Sequence, residues 1–226
     1  MHNWIKKIEN KYIKESYKDE DKPVLKFLKS LKNKETDYFE VGSGLGRFPS
    51  IIKDKFPKFK ITCLEINKDL AEKTEKNGLE TINADILKSN LPDDYFGIVH
   101  CSHLIEHFKY PEIIKVLDEI VRITRKGGYV IIRSPLANTY FYDDIDHIRP
   151  YPPESILNYF KNEQQQEKGS YQIEEVFRWY RRHGLQIEDF HGESVILINI
   201  FFKILWNYLR FPFSKKDGYV FIIKKI

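Results

Sequence analysis

From Tyr38 onward, short apolar and β-branched runs alternate with amphipathic stretches. That alternation predicts a parallel sheet covered by helices on both faces. The predicted strands are Tyr38 to Val41, Lys60 to Ile66, Glu80 to Ala84, Gly97 to Cys101, Tyr129 to Arg133, Leu185 to Phe190 and Tyr219 to Lys224. Between them, 3.6-residue periodicity predicts helices at Leu45 to Phe56, Lys68 to Asn77, Pro111 to Arg125 and Ile173 to His183. Pro111 suits the first turn of its helix, and Gly127-Gly128 is expected to end it before the next strand.

Two further helical patterns precede the first strand. One carries Trp4, Ile5, Ile8, Tyr12 and Ile13, the other Val24, Leu25, Leu28 and Leu31. They read as a cover over one edge of the core, or as a lid over a substrate. Residues 162–170 are polar, Gln-rich and close in Gly-Ser, which reads as an exposed loop and not as a domain linker. The chain is therefore expected to form one domain: a helical cover or lid over 1–35, a ligand-binding core over 36–190, and an apolar insert over 191–218 before the final strand. Within that insert, Ser194 to Phe213 is strongly apolar but interrupted by Lys203 and Arg210. A membrane span there would pull the last strand from the sheet, and the central lysine adds a few kcal/mol of cost. A packed lid, an oligomer interface and a helix lying on a membrane surface all remain open.

Composition changes this picture little. With 226 residues, the chain is long enough to bury one sizeable core. Its 37 basic and 33 acidic side chains leave a net charge of +4, and lysine is spread along the chain instead of gathered in a block. Nothing in that balance marks a nucleic-acid groove. Cys63 and Cys101 both lie inside apolar runs and read as buried thiols, which suits a reducing, cytoplasmic setting. Residues 1–16 alternate apolar and charged positions and contain no apolar stretch of signal-peptide length.

The chemistry gathers where strands end. Glu40-Val-Gly-Ser-Gly-Leu-Gly46 closes the first strand and runs straight into a helix. Gly42, Gly44 and Gly46 permit a tight turn and remove side chains where a ligand must approach the backbone. The helix start favours an anionic group such as a carboxylate. A dinucleotide fingerprint would place its third glycine at position 47, where this chain has Arg47, so pyrophosphate binding loses ground. The second strand ends in Leu64-Glu65-Ile66 and the third in Asn83-Ala84-Asp85-Ile86. In a parallel sheet, Gly42, Glu65 and Asp85 share one carboxyl-end rim, and Glu65 is placed to accept both hydroxyls of a ribose.

Taken together, these motifs resemble the class I S-adenosylmethionine-dependent methyltransferase family. The resemblance continues through Tyr95-Phe-Gly-Ile-Val-His-Cys-Ser-His-Leu-Ile-Glu-His107 and Arg125-Lys-Gly-Gly-Tyr-Val-Ile-Ile-Arg-Ser-Pro135, and covers roughly residues 36 to 190. It implies a seven-stranded Rossmann-like α/β sheet of order 3-2-1-4-5-7-6 with the last strand antiparallel. It also implies S-adenosylmethionine as cofactor. Gly42, Ser43, Gly44 and Gly46 would border its methionine part, Glu65 would hold its ribose, Asp85 with Ile86 would meet its adenine, and Cys101, Ser102 and His103 would sit beside its sulfonium, with Glu40 and Ile66 also among the cofactor-binding residues. One departure is Gly97, where family members often carry Asp.

Methyl transfer needs alignment of donor and acceptor more than catalytic side chains. For a hydroxyl acceptor a base must take the proton, and a histidine is the usual choice. His147 is the first candidate, in Asp143-Asp-Ile-Asp-His-Ile-Arg-Pro-Tyr151 beyond the fifth strand, with Asp146 beside it to orient the ring. An equally weighted reading has His147 and Arg149 simply pinning the loop by hydrogen bonds. The segment also resembles an Asp-His-x-Arg-Pro-Tyr motif of relatives encoded with glycan-assembly enzymes, which implies a sugar or other polyhydroxyl acceptor. His103 and His107 stand four apart with Glu106 between them, but the sequence offers no third metal ligand, so no metal is expected. Asp143, Asp144 and Asp146 read as solvated loop acids.

The expected activity is O-methylation of a small-molecule or glycan-type acceptor. The alternatives are a nicotinamide-dependent oxidoreductase, disfavoured by Arg47, and a non-catalytic cofactor-binding or assembly module. Expected partners are the acceptor itself, with a second copy of the chain or a membrane surface as further possibilities for the apolar insert.

Overall fold

A computed structural model describes residues 19–31, 35–138, 141–161, 169–183, 193–209 and 215–226. The first element among the described residues is helix α1 (19–31). Strands β1 (Thr36–Val41), β2 (Phe59–Leu64), β3 (Glu80–Ile82), β4 (Phe96–Ser102), β5 (Thr124–Pro135), β6 (Ile173–His183) and β7 (Lys215–Lys225) form one sheet of order 3-2-1-4-5-7-6. β1 to β5 pair in parallel, while β7 runs antiparallel to both β5 and β6. The carboxyl ends of five strands therefore share one edge, the crevice at which open α/β sheets bind ligands.

Alternation along the strands divides the core into two layers. Phe39, Val41, Val99, Cys101, Val130 and Ile132 face α4 (Glu112–Ile123) and α5 (Pro153–Phe160). Tyr38, Ile61, Ile98, Ile131, Val220 and Ile222 face α1 and α2 (Arg47–Lys55), which contribute Val24, Leu28, Phe48 and Ile52. Helix α3 (Lys68–Lys76) begins at Asn67, whose side chain accepts hydrogen bonds from the Asp69 and Leu70 backbone N–H groups. Both cysteines are buried and unpaired, and burial raises both thiols, Cys101 well above the ordinary range.

Two elements differ from the sequence reading. Residues 173–183, expected as a helix, are edge strand β6. The strand expected at Leu185 to Phe190 lies outside the described residues, as does the helical pattern over Trp4 to Ile13. α4 ends at Ile123, and Gly127-Gly128 lies inside β5, where the pairing with β4 shifts register between Phe96 and Ile98. A bulge absorbs the glycines there in place of a helix stop. Helix α6 (Glu193–Leu209) carries the apolar insert and leaves Leu197, Ile198, Phe201, Ile204, Tyr208 and Leu209 exposed. No helix among the described residues is long and apolar enough to cross a membrane.

Candidate functional site

The glycine turn closes β1 onto β2 through Gly42 and Ser43 N–H groups that both donate to Leu64 O, at 2.8 and 3.1 Å. Gly42, Gly44 and Gly46 all have positive φ. Gly44 and Gly46 serve opposite ends. A Cβ on Gly46 would meet Leu79 and Thr74 side chains at 2.9 Å, whereas a Cβ on Gly44 would meet nothing within 4 Å. Gly46 is tight because α3 packs against it. Gly44 faces open space on the rim.

Glu65 is buried beside that opening. Its Oε2 accepts from Gly44 N at 2.7 Å and its Oε1 from Asn67 N at 3.0 Å, so the carboxylate ties the turn to the start of α3. Each oxygen keeps a second lone pair for a ligand. Ile66 next to it is 67 % exposed, an apolar side chain on the rim. Asp85 caps the short turn Ile86–Lys88 by accepting from Leu87 N, and the Ile86 side chain is buried in the core. Ser43 Oγ is buried and has no hydrogen-bond partner.

Glu40 is not presented at the rim. Its Oε2 accepts from Tyr38 Oη and from His100 Nδ1 at 2.7 Å, all three groups being buried. Arg133 Nε donates to His100 Nε2 at 3.0 Å, which places the remaining ring proton on Nδ1, facing Glu40. Burial holds His100 below the usual histidine range, with Arg133 adding to the effect against the pull of Glu40. Arg133 also donates from Nη1 to Asp21 at 2.7 Å and stacks over Phe48 at 4.1 Å.

That contact brings α1 into the site. Asp21 accepts two hydrogen bonds from Arg47, at 2.7 and 3.0 Å, so the residue that breaks a dinucleotide fingerprint joins α1 to α2. Glu20 meets Arg181 of β6 and accepts from His103 at 3.0 Å. His103 follows β4 with φ 52 and lies between Glu20 and Glu106, the latter 3.4 Å away. Burial works against its protonation, but the hydrogen bonds and charges of the two acids outweigh it and raise it to about 9. His103 is thus a cation near neutrality. Cys101 is buried and Ser102 half-buried at the same strand end. The sequence reading missed Glu20, Asp21 and Arg133. Arg133 carried a signal, since a charge inside Tyr-Val-Ile-Ile-Arg-Ser demands a buried partner.

The loop after β5 is fastened to the segment after β4. Ile148 and Arg149 N–H groups donate to Glu106 O, at 2.9 and 3.3 Å, and Tyr151 Oη donates to Phe108 O at 2.8 Å. His147 Nδ1 lies 2.7 Å from Phe141 O, so a backbone carbonyl, and not Asp146, orients the ring. Asp146 instead offers its own carbonyl to His107 Nδ1 at 2.9 Å. The structure thus brings His107, His147 and Glu106 together on this rim, beyond His103.

Residues 39–132 match a family model described as the methyltransferase domain. That segment, about two fifths of the chain, is similar to a methyltransferase domain. The matched segment contains the glycine turn, Glu65, Asp85 and the β4 end. No curated protein matches the chain in sequence. Among solved structures, an S-adenosylmethionine-dependent methyltransferase from Archaeoglobus fulgidus is 22 % identical, with a TM-score of 0.58 over 84 % of this chain and 86 % of that one. A Haloferax volcanii complex of the Trm112 methyltransferase activator with a candidate methyltransferase matches at 12 % identity and TM-score 0.57, over 84 % and 83 %. The [4+2]-cyclase SpnF matches at 11 % and 0.55, over 84 % and 75 %. These likenesses establish the fold, and the cyclase shows that this fold does not dictate one reaction.

The residues at the rim fit the cofactor. The space beside Gly44 accepts a group that a Cβ would fill, Ser43 Oγ is an unfilled buried polar atom, and Glu65 has acceptor capacity left.

Proposed function

We infer that this methyltransferase domain methylates oxygen on a small polyhydroxyl or glycan-type acceptor, activated at His147. The observation that carries the reading is the hydrogen bond from His147 Nδ1 to Phe141 O, which leaves Nε2 as a lone-pair donor on a half-buried ring at the rim. The nearest acid to it is Asp144, at 3.7 Å.

In this reading the turn from Gly42 to Gly46 borders the methionine portion, with Ser43 Oγ filling its vacant bond there. Glu65 takes the ribose hydroxyls, Ile66 lies against the adenine ring, and Asp85 and the Ile86 backbone bound its edge. Cys101, Ser102 and His103 line the sulfonium end, and Glu40 acts from below by holding β1 to β4. When bound, S-adenosylmethionine supplies a methyl group whose bond to sulfur breaks, its electron pair returning to sulfur, as the acceptor oxygen forms the new C–O bond and its proton leaves. The α1 helix closes this end of the site through Glu20 and Asp21.

The test is incubation with S-adenosylmethionine labelled in its methyl group and a panel of sugars and other polyols. Alkali-stable label on oxygen, with stoichiometric S-adenosylhomocysteine, is the expected result; label on nitrogen alone would overturn the acceptor class. The exposed stripe on α6 is read here as a packing contact, and on that reading flotation with anionic vesicles at low salt should recover no protein.

A further inference from the structure

We propose that Glu106, His107 and His147 form a binding site for a divalent transition cation of the zinc type. One ligand atom from each of the three lies within 4.8 Å of the others, although 40 residues separate His107 from His147 in sequence. The inference rests on the acceptor being read at this rim and states how His147 activates it: as a ligand of the cation.

Three observations carry it. Both imidazoles have Nδ1 on a backbone carbonyl, His107 on Asp146 O and His147 on Phe141 O. That fixes the proton on Nδ1 and leaves both Nε2 lone pairs available, the arrangement in which histidine ligates metals, with the second nitrogen anchored. Next, Glu106 is fully buried, and its Oε1 has a single long contact, with His103 Nδ1 at 3.4 Å. That one long contact leaves the oxygen a lone pair for a further partner. Its other oxygen accepts from Ser134 Oγ at 3.1 Å, which orients the carboxylate from behind. Finally, the frame is held by backbone bonds, since Ile148 N and Arg149 N both donate to Glu106 O. The two chain segments that supply the ligands cannot separate without breaking these.

The donor set decides the ion class. Two imidazoles and one carboxylate suit zinc and its first-row neighbours over magnesium or calcium, which prefer all-oxygen shells. Bonds of about 2.0–2.2 Å require the ligands to close by roughly 1 Å, within the reach of ring and carboxylate rotation. His107 and His147 are half-buried, so the ion has an entry path from the rim. Three protein ligands leave positions for acceptor oxygen, where the cation's charge lowers the hydroxyl's affinity for its proton, which passes to water.

The experiment is isothermal titration of the chelator-stripped full chain with Zn²⁺, and with Co²⁺ as an optical probe. About one Zn²⁺ per chain is expected, with Co²⁺ bands of a nitrogen-ligated, low-coordinate ion. His107→Ala and His147→Ala should each weaken binding about 10–100-fold while S-adenosylmethionine affinity and circular dichroism stay at wild-type values. Zn²⁺ binding unchanged in the double variant, or a Co²⁺ spectrum like that of the hydrated ion in wild type, overturns the site; the second readout stands even if a variant does not fold. Zn²⁺ bound as predicted, with no methyl transfer to any polyol, supports the site and removes only the acceptor class. Transfer undiminished after chelation overturns the cation's part in it.

Discussion

Glu20 Oε2 lies 3.0 Å from His103 Nε2, so α1 is joined to the end of β4 by a charged contact across 83 residues of sequence. Burial pushes the Glu20 carboxyl up, but the His103 hydrogen bond and the charges of His103, Arg181 and Arg133 prevail and bring it from 4.5 to about 2. A carboxyl depressed on folding stabilises the native state fully above pH 4.5 and loses that contribution as pH falls toward 2. Urea unfolding of wild type and Glu20→Gln should therefore differ by about 3 kcal/mol at pH 6 and converge toward pH 2. A difference independent of pH would show that the charge on Glu20 does not hold α1.

Gly44 and Gly46 separate binding from folding. Both have positive φ, so alanine strains the backbone by about 1–2 kcal/mol at either position. At Gly46 the methyl also meets Leu79 and Thr74 at 2.9 Å, and Gly46→Ala should cost about 2–4 kcal/mol of stability. At Gly44 it points into the space read as the cofactor's, so Gly44→Ala should lose more S-adenosylmethionine affinity than stability. Equal effects on both measurements at both positions would count against the rim as the cofactor site.

Glu65 links that space to the start of α3. Glu65→Ala removes a charge-assisted acceptor from the ribose position and the brace between Gly44 N and Asn67 N. Cofactor affinity should fall by about 1–3 kcal/mol, read by isothermal titration. An unchanged affinity would move the ribose elsewhere.

The residues that were legible in the sequence share a cause. Gly42 to Gly46, Glu65 and Asp85 stand at strand ends in a parallel sheet, where topology alone brings them to one rim. β6 was hidden because Glu174, Glu175, Arg178, Arg181 and Arg182 imitate the i, i+3 and i, i+4 pairing of a helix. The imitation is partly real: Glu175 and Arg178 form an ion pair within the strand, where residues three apart would normally face opposite ways. The register shift between Glu175 and Phe177 adds the residue that returns Arg178 to the same face. The clustering of Glu106, His107 and His147 was not legible, because it depends on a loop folding back by backbone bonds to Glu106 O that carry no side-chain signature.

His147 is where these arguments meet the chemistry. Its Nδ1 bond to Phe141 O sets the ring's direction, and the T-shaped contact with His107, centroids 5.1 Å apart, keeps both rings on the rim. His147→Ala should lower turnover about 10²–10⁴-fold, because the acceptor proton loses the group that activates its departure. S-adenosylmethionine affinity should stay within about twofold, since no cofactor contact is assigned to this ring. Asp146→Asn should cost much less, because Asp146 contributes a backbone carbonyl that the substitution keeps. The measurements are steady-state turnover and cofactor titration on the same preparations. Wild-type turnover in His147→Ala would leave the loop as a packing element and place activation of the acceptor elsewhere on the rim. A parallel loss of cofactor affinity would instead tie the loop to the shape of the cofactor pocket.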